Sequence, residues 1–171
     1  MGQGSDRFRT ELRTLIPRLR RFGHALTGSI ENGDDLLQDA LEKALSRESQ
    51  FELGTRLDSW MFRIMQTTWI DQKRADNRRS RITGPLEDGA LAVGEDGRRT
   101  FNSRIELARV REMMARLQPN ECAVLSLVSI EGLTYREAAD VLAIPIGTVM
   151  SRLYYARQKL RALLEKGTKT Q

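Results

Sequence analysis

Apolar residues recur at steps of three and four along most of the chain, the spacing that gathers them on one face of a helix. The first run is Phe8, Leu12, Leu15, Ile16, Leu19, Phe22 and Leu26. Pro17 suits the first turn of a helix, so it predicts a bend and a second helix within this run, which Gly28 then closes. Asn32 or Asp34 is placed to cap a helix over 34–47 with the stripe Leu37, Leu41, Ala44 and Leu45. The stretch QFELGTRLD interrupts the pattern as a loop around Gly54. Trp60, Met61, Ile64, Met65, Thr68 and Trp69 then restore helical spacing to about residue 79. No segment alternates as a strand would.

Between 80 and 102 the periodicity stops, and Gly84, Pro85, Gly89, Gly94 and Gly97 punctuate a polar stretch. It reads as a linker that, fully extended, reaches about 75 Å. Beyond it, Ile105, Ala108, Val110, Met113, Met114 and Leu117 predict an amphipathic helix, and Pro119 opens another through Ile130, ended by Gly132. Thr134 and Glu137 have capping-box spacing ahead of a short helix over 135–142. Ala143, Ile144 and Pro145 make a turn. The last helix, about 147–165, turns Val149, Leu153, Ala156, Leu160 and Leu163 inward. The expected fold is all-α: two small helical domains, 6–80 and 104–166, joined by a flexible linker over 81–103.

Composition narrows the chemistry. The chain has 171 residues, one cysteine and one histidine, so Cys122 has no intrachain disulfide partner and no soft-ligand metal cluster can form. Cys122, in apolar surroundings, reads as a core residue, with redox sensing the alternative. No apolar run approaches a membrane span and the N-terminus lacks a signal-peptide core, so a soluble, cytoplasmic protein is expected. No nucleophile, base and orienter set, phosphate loop or metal site can be assembled, which leaves neither a catalytic residue nor a cofactor to propose.

Net charge is +5, from 28 basic and 23 acidic residues, but its distribution says more. Residues 30–58 hold eight acids and three bases, net −5; residues 63–81 hold six bases and two acids, net +4; residues 150–171 hold six bases and one acid, net +5. An acidic segment followed by two basic ones suits a basic protein partner and nucleic-acid phosphates on different faces.

A short helix, a three-residue turn and a longer basic helix form the helix-turn-helix arrangement. With Val149, Leu153, Ala156 and Leu160 inward, the last helix presents Thr148, Ser151, Tyr154, Tyr155 and Gln158, flanked by Arg152 and Arg157. Hydroxyls, an amide and guanidiniums are groups that bind base edges and phosphates of a major groove. In the first domain, Lys73, Arg74, Arg78, Arg79 and Arg81 follow directly on Trp60 and Trp69. Cations beside flat rings suit an unpaired strand, although the same tryptophans also suit a core.

Three segments together resemble the extracytoplasmic-function sigma factors of bacterial RNA polymerase. ALTGSIENGDDLLQDALEKAL is similar to the region two segment that grips the polymerase clamp. WMFRIMQTTWIDQKRADNRR is similar to the promoter-melting and minus-ten helix. GLTYREAADVLAIPIGTVMSRLYYARQKLR is similar to the region four reader of the minus-thirty-five element. FELGTRLDSWMFRI is further similar to the alphaproteobacterial general-stress subgroup. The resemblance implies core-polymerase binding by Asp35, Leu36, Gln38, Asp39 and Leu41. It implies capture of a flipped base by the 50–57 loop, with Phe51 and Leu57 as walls. Minus-ten contacts would come from Trp60, Arg63, Thr67, Asp71, Lys73 and Arg74, and minus-thirty-five contacts from Thr148, Ser151, Arg152, Tyr154, Tyr155 and Gln158. Implied partners are core RNA polymerase, promoter DNA and an anti-sigma protein, with no membrane insertion and nucleoid association within holoenzyme. The rivals are a dimeric helix-turn-helix regulator and a sigma-like decoy for an anti-sigma protein.

Overall fold

Why a proline in mid-run fails to break the first helix is an energetic question. The structure, a computed structural model, describes residues 2–83, 108–110 and 112–168. In it α1 (Gly2–Thr27) passes straight through Pro17, so the expected second helix is not formed. An interior proline costs roughly 3 kcal/mol. Phe8, Leu12, Leu19 and Phe22, on both sides of it, are all 5% exposed or less. At roughly 1.5–3 kcal/mol per buried side chain, keeping both halves on one core outweighs the proline.

Gly28 ends α1 with φ +71, the left-handed region glycine enters freely. The cap of α2 (Ile30–Ser46) is Ser29, not Asn32 or Asp34: extended Ser29 accepts from the Asn32 N–H at 3.3 Å. Asp34 instead ties the helices together, its carboxylate lying 2.8 Å from His24 Nε2 and 3.1 Å from Arg20 Nε. α1 and α2 cross at Gly23 and Gly33, where a Cβ added to Gly23 would sit 2.7 Å from the Gly33 carbonyl oxygen. Backbones that close exclude any side chain at the crossing. A single 3₁₀ turn, Glu48–Gln50, leads through the loop to α3 (Leu57–Thr83), which buries Leu57, Met61, Phe62, Met65 and Trp69 between α1 and α2.

The second group comprises helical residues 108–110 and 112–115, then α4 (Pro119–Leu125), α5 (Tyr135–Leu142) and α6 (Ile146–Thr168). The expected helix from Pro119 to residue 130 divides into α4 and a π-helical turn, Ser126–Ile130, closed by a Glu131 N–H bond to the Ser126 carbonyl. The capping box of α5 forms as expected, with Thr134 accepting from Glu137 N–H and the Glu137 carboxylate accepting from Thr134 N–H. The turn that follows places Ala143 in the left-handed region at φ 51, and Glu121 anchors α6 through Lys159 at 2.8 Å. Among the described residues every regular element is helical. Of the expected linker, residues 81–83 belong to α3 and 84–103 lie outside the described residues.

Two domains on a flexible linker need not meet, yet here the two groups touch, and a single continuous apolar core runs through both. Around it, Cys122 Sγ–H donates to the Ala25 carbonyl at 3.1 Å and Gln66 Nε2 to Asn120 Oδ1 at 3.4 Å. Arg18 reaches Glu131, and Arg56 reaches Glu137.

Candidate polymerase and promoter interfaces

Helix α2 turns one acidic edge outward. Asp35, Gln38 and Asp39 are exposed, with Gln38 Nε2 donating to Glu42 at 3.3 Å and Gln72 Nε2 of α3 donating to Asp39 at 2.7 Å. Leu41 is half-buried against the core. Leu36 is fully buried and packs within the chain itself, so the structure does not bring it to the same surface. The inward stripe is Leu36, Leu37, Ala40 and Ala44, while Leu45, expected inside, is 46% exposed.

Helix α3 offers a second face. Arg63, Thr67, Asp71 and Arg74 lie on it three and four residues apart and are exposed, and half-buried Trp60 begins the same row. Thr67 Oγ1 donates to the Arg63 carbonyl at 2.9 Å, which leaves its lone pairs outward, and Asp71 and Arg74 are 4.0 Å apart. Lys73 stands over the Trp69 ring at 4.6 Å. Trp69 is buried, so of the two tryptophans it is the core residue and Trp60 the one with an accessible edge.

The loop preceding α3 departs from the expected base pocket. Phe51 packs against Phe8 and Trp60, with ring centroids 5.5 and 5.3 Å apart, and Leu57 is 1% exposed. Leu57 is therefore core, and Phe51 shows only an edge. An open hollow of about 540 Å³ does lie beside this loop, between Phe8, Leu45, Ser49, Phe51 and Leu53. Leu53, overlooked in the sequence, is 56% exposed. The available signal was its place as a lone aliphatic residue directly before Gly54 in a polar loop.

On α6, Tyr154 and Tyr155 are 60% and 59% exposed, and their rings meet edge to face at 5.6 Å. Ser151 and Gln158 are exposed beside them, while Thr148 and Arg152 are half-buried. Ser151 Oγ donates to the Thr148 carbonyl at 3.1 Å. Tyr154 also edges a groove of about 340 Å³ with Tyr135, Met150 and Arg157. Val149, Leu153 and Ala156 are buried as the helical wheel requires.

Behind these faces runs a chain of charges. Partial burial alone would raise the Asp58 carboxyl, but hydrogen bonds from Arg56 and Arg18 outweigh it and hold the group at about 2. Hydrogen bonding to Asp58 in turn raises Arg56. Glu137 is lowered by Thr134 N–H and hydroxyl and by Arg56. A depressed carboxylate stabilises the fold above its unfolded value near 3.8, and that contribution disappears as pH falls towards 2. Asp58→Asn should cost about 1–3 kcal/mol at pH 7 and flatten this acid limb, as urea titrations between pH 5 and pH 2 will show.

A three-helix body with an acidic edge on α2 and a row of exposed basic residues on α3 thus precedes a helix-turn-helix body. Residues 12–66 match the family model described as the Sigma2 domain of PhyR, and residues 107–160 match sigma-70 region 4. The chain is 31% identical to ECF RNA polymerase sigma factor EcfG of Rhodopseudomonas palustris, over 94% of this chain and 86% of that protein. It is 30% identical to SigE of Mycolicibacterium smegmatis, over 91% of this chain and 60% of that protein. The solved structure of sigma factor RpoE of Bartonella quintana, in complex with the anti-sigma factor NepR, is similar with TM-score 0.76 and 28% identity, covering 92% of this chain and 96% of that one. The chain belongs to the ECF family of RNA polymerase sigma factors. It directs transcription initiation.

Proposed function

We propose that the two bodies divide the work of a sigma factor, 6–80 binding core polymerase and the minus-ten element and 104–166 reading the minus-thirty-five element, with 81–103 joining them. Exposed Ser151, Tyr154, Tyr155 and Gln158 on a buried-backed helix-turn-helix are the observation that carries this reading. Their hydroxyls and amide suit base edges, and half-buried Arg152 suits a phosphate. Asp35, Gln38 and Asp39 meet the polymerase. Trp60, Arg63, Thr67, Asp71, Lys73 and Arg74 line the path of the unpaired strand, and the Leu53 hollow receives a base drawn from it. The factor acts by binding in the cytoplasm, leaves chemistry to the polymerase, and is regulated by an anti-sigma protein.

A sigma-like decoy is the second reading, favoured by the match of residues 12–66 to the Sigma2 domain of PhyR, which in Bartonella quintana is an anti-anti-sigma factor solved in complex with the anti-sigma factor NepR. Run-off transcription with purified core polymerase over a promoter library separates the two. Initiation at a defined promoter class, with weak duplex binding by the chain alone, is expected, since each body offers a small interface. Anti-sigma binding without core binding would make the chain a decoy, and tight dimeric operator binding without core would make it a regulator.

A further inference from the structure

We infer that α6 reads thymine: Met150 and Tyr154, exposed on its first two turns, pack on the 5-methyl groups of A·T pairs in the minus-thirty-five element. That role rests on the promoter-reading function proposed above and names the base pairs it selects.

Charge excludes the usual alternative. Guanine is most often read by an arginine or lysine placed bidentate on its O6 and N7. Residues 146–155 carry one charged side chain, that of Arg152, which is half-buried and stands about 40° round the helix from fully buried Ala156. It is turned away from the outward face. Arg157 and Arg161 are exposed, but they follow Met150 by about 10 and 16 Å along the axis. A recognition helix contacts base edges with its N-terminal residues, so these two suit phosphates.

In place of charge, the same two turns show apolar surface to water. Ile146, Met150 and Tyr154 are 43% to 60% exposed and stand one turn apart in a single row, about 12 Å long, the length of roughly three stacked base pairs. Buried Leu153 lies behind Met150 and Tyr154 in a groove of about 340 Å³. Tyr155 meets the Tyr154 ring edge to face at 5.6 Å and steadies it. Apolar side chains gathered so closely on a surface mark a binding site. In a major groove their match is the thymine 5-methyl, the apolar group on the base-pair edges.

Ser151 adds a second criterion. Its hydroxyl donates to the Thr148 carbonyl at 3.1 Å, so towards DNA Oγ presents lone pairs. The adenine N6 amine donates to such an acceptor, whereas guanine offers only the acceptors O6 and N7. Cytosine has an amine but no methyl. The two contacts together therefore select A·T.

Run-off transcription by core polymerase with the full-length chain, over promoters randomised across the minus-thirty-five element, should return A·T at two or more adjacent positions. Replacing thymine there by deoxyuridine removes only the 5-methyl and should lower initiation about 4-fold for each methyl that is packed. In Met150→Ala or Tyr154→Ala the same replacement should cost less than about 2-fold, because the partner of the methyl is already gone. Met150→Arg should move the preference at one position to guanine. Both side chains are exposed, so initiation from an artificially melted template lacking the element should be unchanged in all three variants. A guanine-rich selected element, indifference to deoxyuridine, or a deoxyuridine loss undiminished in both alanine variants would overturn thymine reading, while initiation at the selected element would leave promoter reading standing. No initiation from any member of the library would overturn both. If Met150→Ala instead dissociates a dimer of the free chain in sedimentation and leaves the deoxyuridine loss unchanged, the row docks protein and not thymine.

Discussion

Reversing two charges on α2, Asp35→Lys with Asp39→Lys, should lower affinity for core polymerase by about 100-fold or more while leaving the melting temperature nearly unchanged. Both carboxylates are exposed, and among the described residues the change removes the Gln72 amide's hydrogen bond to Asp39. Surface substitutions of this kind alter stability by about 0.5 kcal/mol or less. At an interface the arithmetic differs, because placing like charges together costs several kcal/mol and each 1.4 kcal/mol is tenfold. Pull-down of core polymerase, with thermal unfolding of the same samples, measures both quantities. Unchanged affinity would show that the acidic edge is only a solvated face. Leu36→Ala provides the contrast: as a fully buried side chain it should cost about 2–5 kcal/mol of stability and affect polymerase binding only through loss of fold.

Leu36 also shows where sequence reading stops. Spacing places Leu37 and Ala44 inward, and both are buried, but the stripe is rotated so that Leu36 enters and Leu45 leaves. Period arithmetic fixes a helix's faces to within about one residue, and the final rotation is set by which neighbours it packs against. The helix-turn-helix was legible because its signals are local: the Thr134 and Glu137 box, the Ala143 turn and the buried row Val149, Leu153 and Ala156. Pro17 was misleading because a local cost of roughly 3 kcal/mol competes with burial that spans the whole of α1. The seam between the two bodies was not legible at all. Arg18 and Glu131 are 113 positions apart, and Arg56 and Glu137 are 81 apart. Apolar periodicity reports which residues are buried, but nothing in it pairs charged residues over such separations.

The same separation of local and distant effects makes the two proposed DNA faces testable against each other. Tyr154→Ala with Tyr155→Ala should cost about 1–3 kcal/mol for each base edge no longer bound, or roughly 5- to 150-fold in use of duplex promoters that depend on a minus-thirty-five element. Both rings are about 60% exposed and chiefly meet each other, so α6 should keep its packing. Transcription from an artificially melted template lacking that element should be unchanged. The loop proposed to read the minus-ten element needs a different probe from the one its aromatic residue suggests. Phe51→Ala would open a cavity against Phe8 and Trp60 and cost about 3–5 kcal/mol of stability, confounding any effect on DNA. Leu53→Ser removes an exposed side chain from the rim of the hollow and leaves that aromatic cluster alone. It should slow open-complex formation on duplex templates and relax minus-ten preference, because a flipped base loses its apolar rim while duplex reading by α6 is untouched. If the tyrosine pair harms the melted template as much as the duplex one, or Leu53→Ser leaves minus-ten preference intact, the division of labour between α6 and the loop before α3 is wrong.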